Sequence, residues 1–208
     1  MGHTVPMSTV WFGRGVADDG EFRLCGDVAG KRTIELGVTP TGAASAEANA
    51  ITLASAGAKS ICLDPSADRI AALRRAAELA EVRVECHHGE LADLGFATSG
   101  SVDLVLATQT LDDVDDLPRL LRQVHRVLRP GAAFVASLSH PVAAIFDSPT
   151  APPVRRYGTT VRSISELFMS LDRSNFRLDA VHELMPAAPP RDALVPTVLL
   201  LRARKQGV

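Results

Sequence analysis

The sequence predicts one α/β domain built on a doubly wound, mostly parallel sheet of seven strands with an antiparallel hairpin at one edge. Short β-branched or apolar runs alternate with segments of helical periodicity, as in successive βαβ units. Two strand-like segments then follow each other near the end, which indicates the hairpin. The length of 208 residues suits a single domain. We divide it into an N-terminal arm (1–27), a ligand-binding core (28–141) and a substrate-side region (142–208).

The first half of the chain contains three predicted strands and two predicted helices. Gly37 ends the first strand, and Gly57 ends the first helix. The second helix places an apolar stripe of Ile70, Leu73, Ala77 and Ala80 on its inner face. The strands are Arg32–Leu36, Ser60–Leu63 and Val82–Cys86, and the helices are Ala46–Ala56 and Ala67–Ala80.

The second half begins with a continuously apolar strand, as expected for a buried parallel strand. A helix follows, with Asp115 and Asp116 at its start and Arg129-Pro130-Gly131 at its end. Its buried face comprises Leu117, Leu120, Leu121, Val124, Val127 and Leu128. A later helix is expected to turn Ile164, Leu167, Phe168 and Leu171 inward. The predicted elements are strands Val102–Ala107, Ala132–Leu138, Phe176–Leu184 and Leu194–Arg204, loops Asp147–Thr160 and Met185–Asp192, and helix Ser163–Leu171.

Composition and charge exclude several classes of partner. The formal net charge is -2 and no basic stripe is present, so we expect no nucleic acid partner. No apolar run reaches the roughly 18 residues that cross a bilayer, and no secretory signal is visible, so we expect no membrane partner. Three widely spaced cysteines without a C-x-x-C motif indicate reduced thiols and a cytoplasmic location. Cys86-His87-His88 is interpreted as a strand end and not as a metal site.

Polar residues and glycines follow the strands at the edge where such sheets bind ligands. Glu35, Gly37 and Gly42 stand around the first turn, where glycines let a ligand approach the backbone and a helix N-terminus. Asp64 follows the second strand and suits ribose hydroxyls. Glu90 and Leu91 follow the third strand and suit an adenine ring. Together these residues predict a site for a nucleoside-type cofactor.

Several stretches resemble the class I S-adenosylmethionine-dependent methyltransferases. They are Gly30-Lys-Arg-Thr-Ile-Glu-Leu-Gly37, Ala56-Gly-Ala-Lys-Ser-Ile-Cys-Leu-Asp-Pro-Ser66, Gly89-Glu-Leu-Ala-Asp-Leu94, Ser101-Val-Asp-Leu-Val-Leu106 and Asp115-Asp-Leu-Pro-Arg-Leu-Leu-Arg-Gln-Val-His-Arg-Val-Leu-Arg-Pro-Gly131. The resemblance covers roughly Val28 to Pro141 and implies that family's Rossmann-like fold, with S-adenosylmethionine as cofactor.

The resemblance also implies roles for individual residues. Glu35 and Gly37 would border the methionine part of the cofactor, with Gly42 in the same loop. Asp64, next to Pro65, would border the ribose, and Glu90 and Leu91 the adenine. Thr108 and Gln109 would line the space between cofactor and substrate.

One departure from the family leaves two alternatives open. Thr39 or Pro40 stands where the family has the middle glycine of its E-x-G-x-G-x-G turn, and proline offers no amide donor. The chain is therefore read either as a methyltransferase for a small molecule or as a non-catalytic relative that has lost or altered cofactor binding. A nicotinamide-dependent oxidoreductase is a third reading, disfavoured because the only tyrosine, Tyr157, lies in a proline-rich loop.

Methyl transfer needs mainly alignment of the acceptor, and a base only where the acceptor must lose a proton. His140, after the fifth strand, is the candidate base, and its other reading is a structural histidine at a strand-to-loop turn. Trp11–Gly15 is either a flap over the cofactor or a packed arm. The short Ala143–Thr160 stretch indicates an open site, or one that a homodimer completes.

Overall fold

The computed structural model describes residues 9–38, 48–112, 114–148, 151–187 and 194–207. Within these residues, seven strands form one sheet. They are β1 Arg32–Leu36, β2 Lys59–Asp64, β3 Val84–His88, β4 Val102–Thr108, β5 Leu128–Ser139, β6 Phe176–Leu184 and β7 Val198–Lys205. The helices are α1 Asp19–Phe22, α2 Asn49–Ser55, α3 Ala67–Leu79, α4 Leu117–Val127 and α5 Ile164–Arg173, with a short 3-10 turn at Ala143–Ile145.

The strand order across the sheet is β3-β2-β1-β4-β5-β7-β6. The first five strands run parallel, whereas β7 pairs antiparallel with both β5 and β6. The predicted doubly wound sheet with an antiparallel edge hairpin is therefore confirmed. Because β1 to β5 are parallel, their carboxyl ends meet at one edge, and the strand order reverses between β1 and β4.

Both faces of the sheet are covered, so the central strands alternate between two apolar cores. In β4, Val105 and Ala107 join the core under α4 and α5, whereas Leu104 and Leu106 join the core under the N-terminal arm. A third cluster packs α2 and α3 against β2, with Ile70, Leu73 and Ala77 buried as predicted and Ala80 exposed. No helix among the described residues is long and apolar enough to span a bilayer.

Helix α4 begins as the sequence indicates. The Asp116 side chain accepts a hydrogen bond from the Arg119 amide at 2.9 Å, and all six predicted apolar positions are buried. Helix α5 begins with a capping box, in which Ser163 and Glu166 each accept from the other's backbone amide. Ser163 is therefore the cap of this helix and not its first residue.

The prediction that β5 begins at Ala132 is wrong, because the strand starts at Leu128. Val102 pairs with Leu128 and Leu104 pairs with Ala133, so the intervening residues of β5 form an irregular bulge. Pro130 lacks an amide donor and Gly131 has φ +74°, which explains why the ladder is interrupted there.

Other predicted boundaries shift by a few residues. Strand β3 begins at Val84, because the Val82 amide still bonds to the end of α3. Strand β7 begins at Val198 and not at Leu194. Phe168 is 49% exposed, although its place on the helical stripe predicts that it faces inward. Leu167 already faces the core, and the next residue of a helix is turned about 100° away.

Candidate functional site

Glu35 lies near the end of β1 and is completely buried. Its Oε2 atom accepts a hydrogen bond of 2.7 Å from the Ala50 amide in the first turn of α2. The residue at the N-cap of this helix is Ala48, which has no side-chain oxygen to offer. Glu35 therefore supplies the cap from a neighbouring strand and places a negative charge at the positive end of the helix dipole.

Gly37 turns the chain away from the end of β1. Its φ of +79° is in the left-handed region, and its amide donates to the Leu63 carbonyl at 2.7 Å. A Cβ atom here would clash with the methyl group of Thr110, whose hydroxyl donates to the Leu36 carbonyl at 2.9 Å. The space beside this turn is therefore closed to any side chain at position 37. Gly42, also predicted to lie at the site, is outside the described residues.

Asp64 ends β2 and is also completely buried. Its Oδ1 atom accepts from the Ser66 amide at 2.7 Å and from Nε of Arg69 at 3.0 Å. Its Oδ2 atom accepts from the Val38 amide at 2.7 Å. Since a carboxylate offers about four acceptor positions, one remains on Oδ2. Asp64 thus ties the turn after β1 to the turn after β2.

Glu90 follows β3 and has a side chain that is 72% exposed. It pairs with Arg119 of α4 at 3.3 Å, and the same guanidinium pairs with Asp93 at 3.3 Å. Leu91 is half-buried and packs on the main core. Pro65 is exposed, and its carbonyl accepts a hydrogen bond from Nε2 of His88 at 3.1 Å. Glu90 therefore presents an exposed carboxylate, paired with Arg119, near the half-buried Leu91, and the role of these two residues at an adenine ring stays a prediction.

Asn49 joins the N-terminal arm to the carboxyl edge of the sheet. Its side chain accepts from the Trp11 amide at 2.8 Å and donates to the Trp11 carbonyl at 2.9 Å. It also donates to the Thr108 hydroxyl at 3.1 Å. Thr108 is completely buried, so its hydroxyl is committed to this contact.

Gln109 follows Thr108 with φ +55° and points toward the same arm. Its Nε2 atom donates to the Phe12 carbonyl at 3.2 Å and contacts the Ser137 hydroxyl at 3.3 Å. Phe12 is completely buried, and the amide of Ala187 donates to the Gly15 carbonyl at 2.7 Å. The segment Trp11–Gly15 is therefore a packed arm in this structure.

His140 is almost completely buried, and both of its ring nitrogens have partners. Nε2 donates to Oε1 of Glu183 at 2.8 Å, and Nδ1 accepts from the Val142 amide at 3.2 Å. These contacts connect the end of β5 to β6 and fix the turn that follows. The geometry matches the structural reading of His140, and its role as a base stays a prediction.

A cavity of about 640 Å³ opens beyond the carboxyl ends of β4 and β5. Its polar lining includes Asp112, Arg155, Arg162, Glu166 and Thr197, none of which sequence reasoning singled out as site residues. Asp112 reaches the site because its carboxylate accepts from the Ser139 amide at 3.0 Å, across 27 positions of sequence. The only sequence signal was its place four residues after β4.

Cys62 and His87 are enclosed or partnered by groups of the fold. Burial raises the pKa of the Cys62 thiol well above its usual value, with Glu35 as a second cause. His87 stacks on Phe96 with ring centroids 3.8 Å apart and donates to Glu85 at 2.7 Å. Across the described ranges, no group of three or more His, Cys, Asp or Glu side chains could hold a metal ion.

Part of the chain is similar to a known protein family. The family model described as a methyltransferase domain matches residues 41–136. Those residues, a little under half of the chain, are similar to that family. The resemblance seen in the sequence is therefore confirmed, and the predicted cofactor, S-adenosylmethionine, is the cofactor of that family.

Individual relatives agree with the family. The chain is 29% identical over 97 residues to a protein of Mycolicibacterium smegmatis named a probable S-adenosylmethionine-dependent methyltransferase. The match covers 47% of this chain and 37% of that protein, so the chain aligns with well under half of the relative's length.

Two solved structures share the fold. The first is an S-adenosylmethionine-dependent methyltransferase from Mesorhizobium loti, with a TM-score of 0.70, 24% identity and coverage of 89% of this chain and 96% of that one. The second is a methyltransferase of the same type from Aquifex aeolicus, with a TM-score of 0.64, 14% identity and coverage of 89% and 88%.

Proposed function

We propose that this chain is an S-adenosylmethionine-dependent methyltransferase that acts on a small molecule. The observation that carries the proposal is the Glu35 carboxylate, which lies buried at the N-terminus of α2. This carboxylate distinguishes S-adenosylmethionine from a dinucleotide cofactor. A sheet that binds a dinucleotide leaves the N-terminus of this helix free for the pyrophosphate.

In this protein the corresponding helix end already holds a negative charge. A phosphate group there would meet electrostatic repulsion, whereas the ammonium group of an amino acid would be attracted. S-adenosylmethionine has no phosphate and carries a methionine ammonium group. Glu35 therefore favours this cofactor over a nicotinamide dinucleotide.

The neighbouring residues fit the cofactor in part. Gly37 provides a turn with no side chain, and Glu90 and Leu91 would border the adenine ring. Asp64 retains one acceptor position for a ribose hydroxyl but is closed to solvent in this structure. When bound, the cofactor supplies a methyl group already activated by its sulfonium.

The contribution of the chain is then mainly alignment of the acceptor. The cavity at the ends of β4 and β5 lies on the same edge, connected to Gly37 through the segment 109–112, in which Thr110 packs on Gly37. Exclusion of water and orientation of the acceptor in this cavity are the roles that its residues can perform. Both ring nitrogens of His140 are engaged, so this residue would have to release a partner before it could act as a base.

A second candidate function is a non-catalytic relative. The burial of Asp64 and the commitment of Thr108 and Gln109 to protein contacts favour it, because these residues would each have to exchange a protein partner for the cofactor. Failure to bind S-adenosylmethionine would favour the non-catalytic relative, binding without turnover would leave both candidates open, and turnover with an acceptor would establish the methyltransferase.

Calorimetric titration with S-adenosylmethionine and S-adenosylhomocysteine tests the proposal. We expect micromolar dissociation constants, weakened about tenfold by Glu90→Ala, because the exposed carboxylate would accept from the adenine amino group, whereas its pair with Arg119 lies at the surface. Asp64→Ala is a poor test variant, because it also removes the acceptor of the Val38 and Ser66 amides. Glu78→Ala, an exposed glutamate on α3, is the matched control. No heat with either ligand, and no change in melting temperature, would favour the non-catalytic relative.

We also propose a cytoplasmic location and no nucleic acid partner. The three cysteines are free, and the charge is close to balanced. A homodimer stays a proposal as well, and sedimentation velocity would test it.

A further inference from the structure

The cavity beyond β4 and β5 contains charged groups of both signs that differ in how fully they are hydrogen bonded. Arg155 donates to the carbonyls of Ala144 and Phe146 and pairs with Asp147 at 2.7 Å. This arginine is therefore neutralised by a carboxylate of its own loop. Its guanidinium holds the loop together and offers little charge to a ligand.

Arg162 is also directed into the protein. Its two terminal nitrogens donate to the carbonyls of Leu111 and Val114 at 3.1 and 2.7 Å, on either side of Asp112. Two of the five N–H donors of this guanidinium thus hold the chain after β4. A carboxylate or phosphate on the methyl acceptor would share the guanidinium with these two carbonyls.

The carboxylates of the cavity are less committed. Asp112 uses one oxygen, Oδ2, to accept the Ser139 amide, and Glu166 uses one oxygen, Oε2, in the capping box of α5. The second oxygen of each has no partner within the part of the chain that the structure describes. Both residues are exposed to solvent, so a ligand in the cavity could reach these carboxylates. Hydrogen bonds from Ser163, and secondly the charge of Arg162, lower the pKa of Glu166, which keeps it ionised.

Thr197 adds a third unused group. It lines the cavity, and its hydroxyl is shielded from solvent without a hydrogen-bond partner in the described structure. A buried hydroxyl without a partner is uncommon and is satisfied when a ligand supplies one. With Arg155 neutralised by Asp147, the charged groups that line the cavity are the two carboxylates of Asp112 and Glu166 and one guanidinium, that of Arg162.

We propose that this cavity binds the methyl acceptor and selects a molecule that carries a protonated amine, recognised by Asp112 and Glu166. The inference rests on the proposed methyltransferase function. A protonated amine has no lone pair to accept a methyl group, so the ammonium is a recognition group and not the nucleophile. The volume suits a compact ligand.

Three probes with the same carbon skeleton test the charge preference directly. They are 3-phenylpropylamine, 3-phenylpropanol and 3-phenylpropionate, titrated calorimetrically with and without S-adenosylhomocysteine. We expect the amine to bind in the millimolar range, the alcohol more weakly, and the acid not detectably. The double variant Asp112→Asn with Glu166→Gln is expected to weaken amine binding about tenfold.

The variants are chosen to preserve the fold. Asparagine keeps an oxygen for the Ser139 amide, and glutamine is accepted in a capping box, so the melting temperature should not change. Asp172→Asn, an exposed carboxylate on α5 outside the cavity, is the control.

Equal binding of acid and amine, full amine affinity in the double variant, or no binding of any probe would each overturn the inference. Its failure is distinct from failure of the proposed function. Selective amine binding without any cofactor binding would remove the methyltransferase proposal and leave an amine-binding protein. Cofactor binding without amine selectivity would remove only the present inference.

Discussion

The polar groups at the ends of β1 and β2 differ from those at the ends of β4 and β5 in their hydrogen bonding. Glu35 and Asp64 are completely buried, and their oxygens accept backbone amides from neighbouring turns. Asp112 and Glu166 are exposed, and each leaves one oxygen unused within the described ranges. The first region is held rigid by its own chain, whereas the second offers acceptors to a ligand. This difference agrees with the proposal that the cofactor binds at the first region and the methyl acceptor at the second.

The largest effect is expected from Gly37→Ala, which tests the rigidity of the first region. The added methyl group would meet Thr110 while the backbone remains at positive φ. We expect a loss of about 4 kcal/mol in the free energy of unfolding, from left-handed strain together with overpacking. Urea denaturation measures it.

Gly30→Ala is the matched control for this substitution, because Gly30 has φ +71° and no atom lies within 4 Å of the position that a Cβ would occupy. It should lose about 1 kcal/mol through strain alone. Adding Thr110→Ala to Gly37→Ala should recover the part of the free energy of unfolding that is lost through overpacking against Thr110. If both glycine substitutions cost the same, the turn after β1 is not tightly packed and the comparison fails.

The next largest effect is expected from Asn49→Ala, which would detach the N-terminal arm. The substitution leaves the Trp11 amide and carbonyl and the Thr108 hydroxyl without their shared partner. We expect a loss of about 3 kcal/mol and faster tryptic cleavage after the exposed Arg14. Limited proteolysis followed by mass spectrometry measures the cleavage. Gln206→Ala, an exposed amide, is the control, and unchanged cleavage in Asn49→Ala would show that other contacts hold the arm.

The smallest effect is expected on the acceptor side, from Glu183→Gln. Glu183 is 54% exposed and glutamine can still accept from His140, so the loss should be below about 1 kcal/mol. Urea denaturation measures it. A loss comparable to that of Asn49→Ala would mean that the acceptor side is as tightly held as the cofactor side.

The sequence was most informative where one local pattern decides the structure. The bounds of β1 and β6 agree with the prediction, and Asp116 caps α4 as expected. It was least informative where a distant residue decides. Phe168 lies on a helical stripe whose burial depends on which neighbours α5 receives, and only the tertiary structure specifies them.

The same distinction applies to the candidate site. Glu35, Gly37 and Asp64 could be placed from strand ends alone, because parallel strands bring their carboxyl ends to one edge. Asp112 and Thr197 could not, since they become neighbours of one cavity only when segments 85 positions apart along the chain meet. The sequence also could not predict that the Asp64 oxygens accept hydrogen bonds from the Val38 and Ser66 amides. Such partners depend on the geometry of the loops.

The position of β7 has a consequence for how the protein assembles during synthesis. This strand is made after β6 yet is inserted between β5 and β6. On a translating ribosome, β6 has no sheet partner until β7 has emerged, whereas β1 to β5 can already pair. The edge that carries Glu35 and Asp64 can therefore form while synthesis continues, and the cavity that includes Thr197 is completed only once β7 has been added.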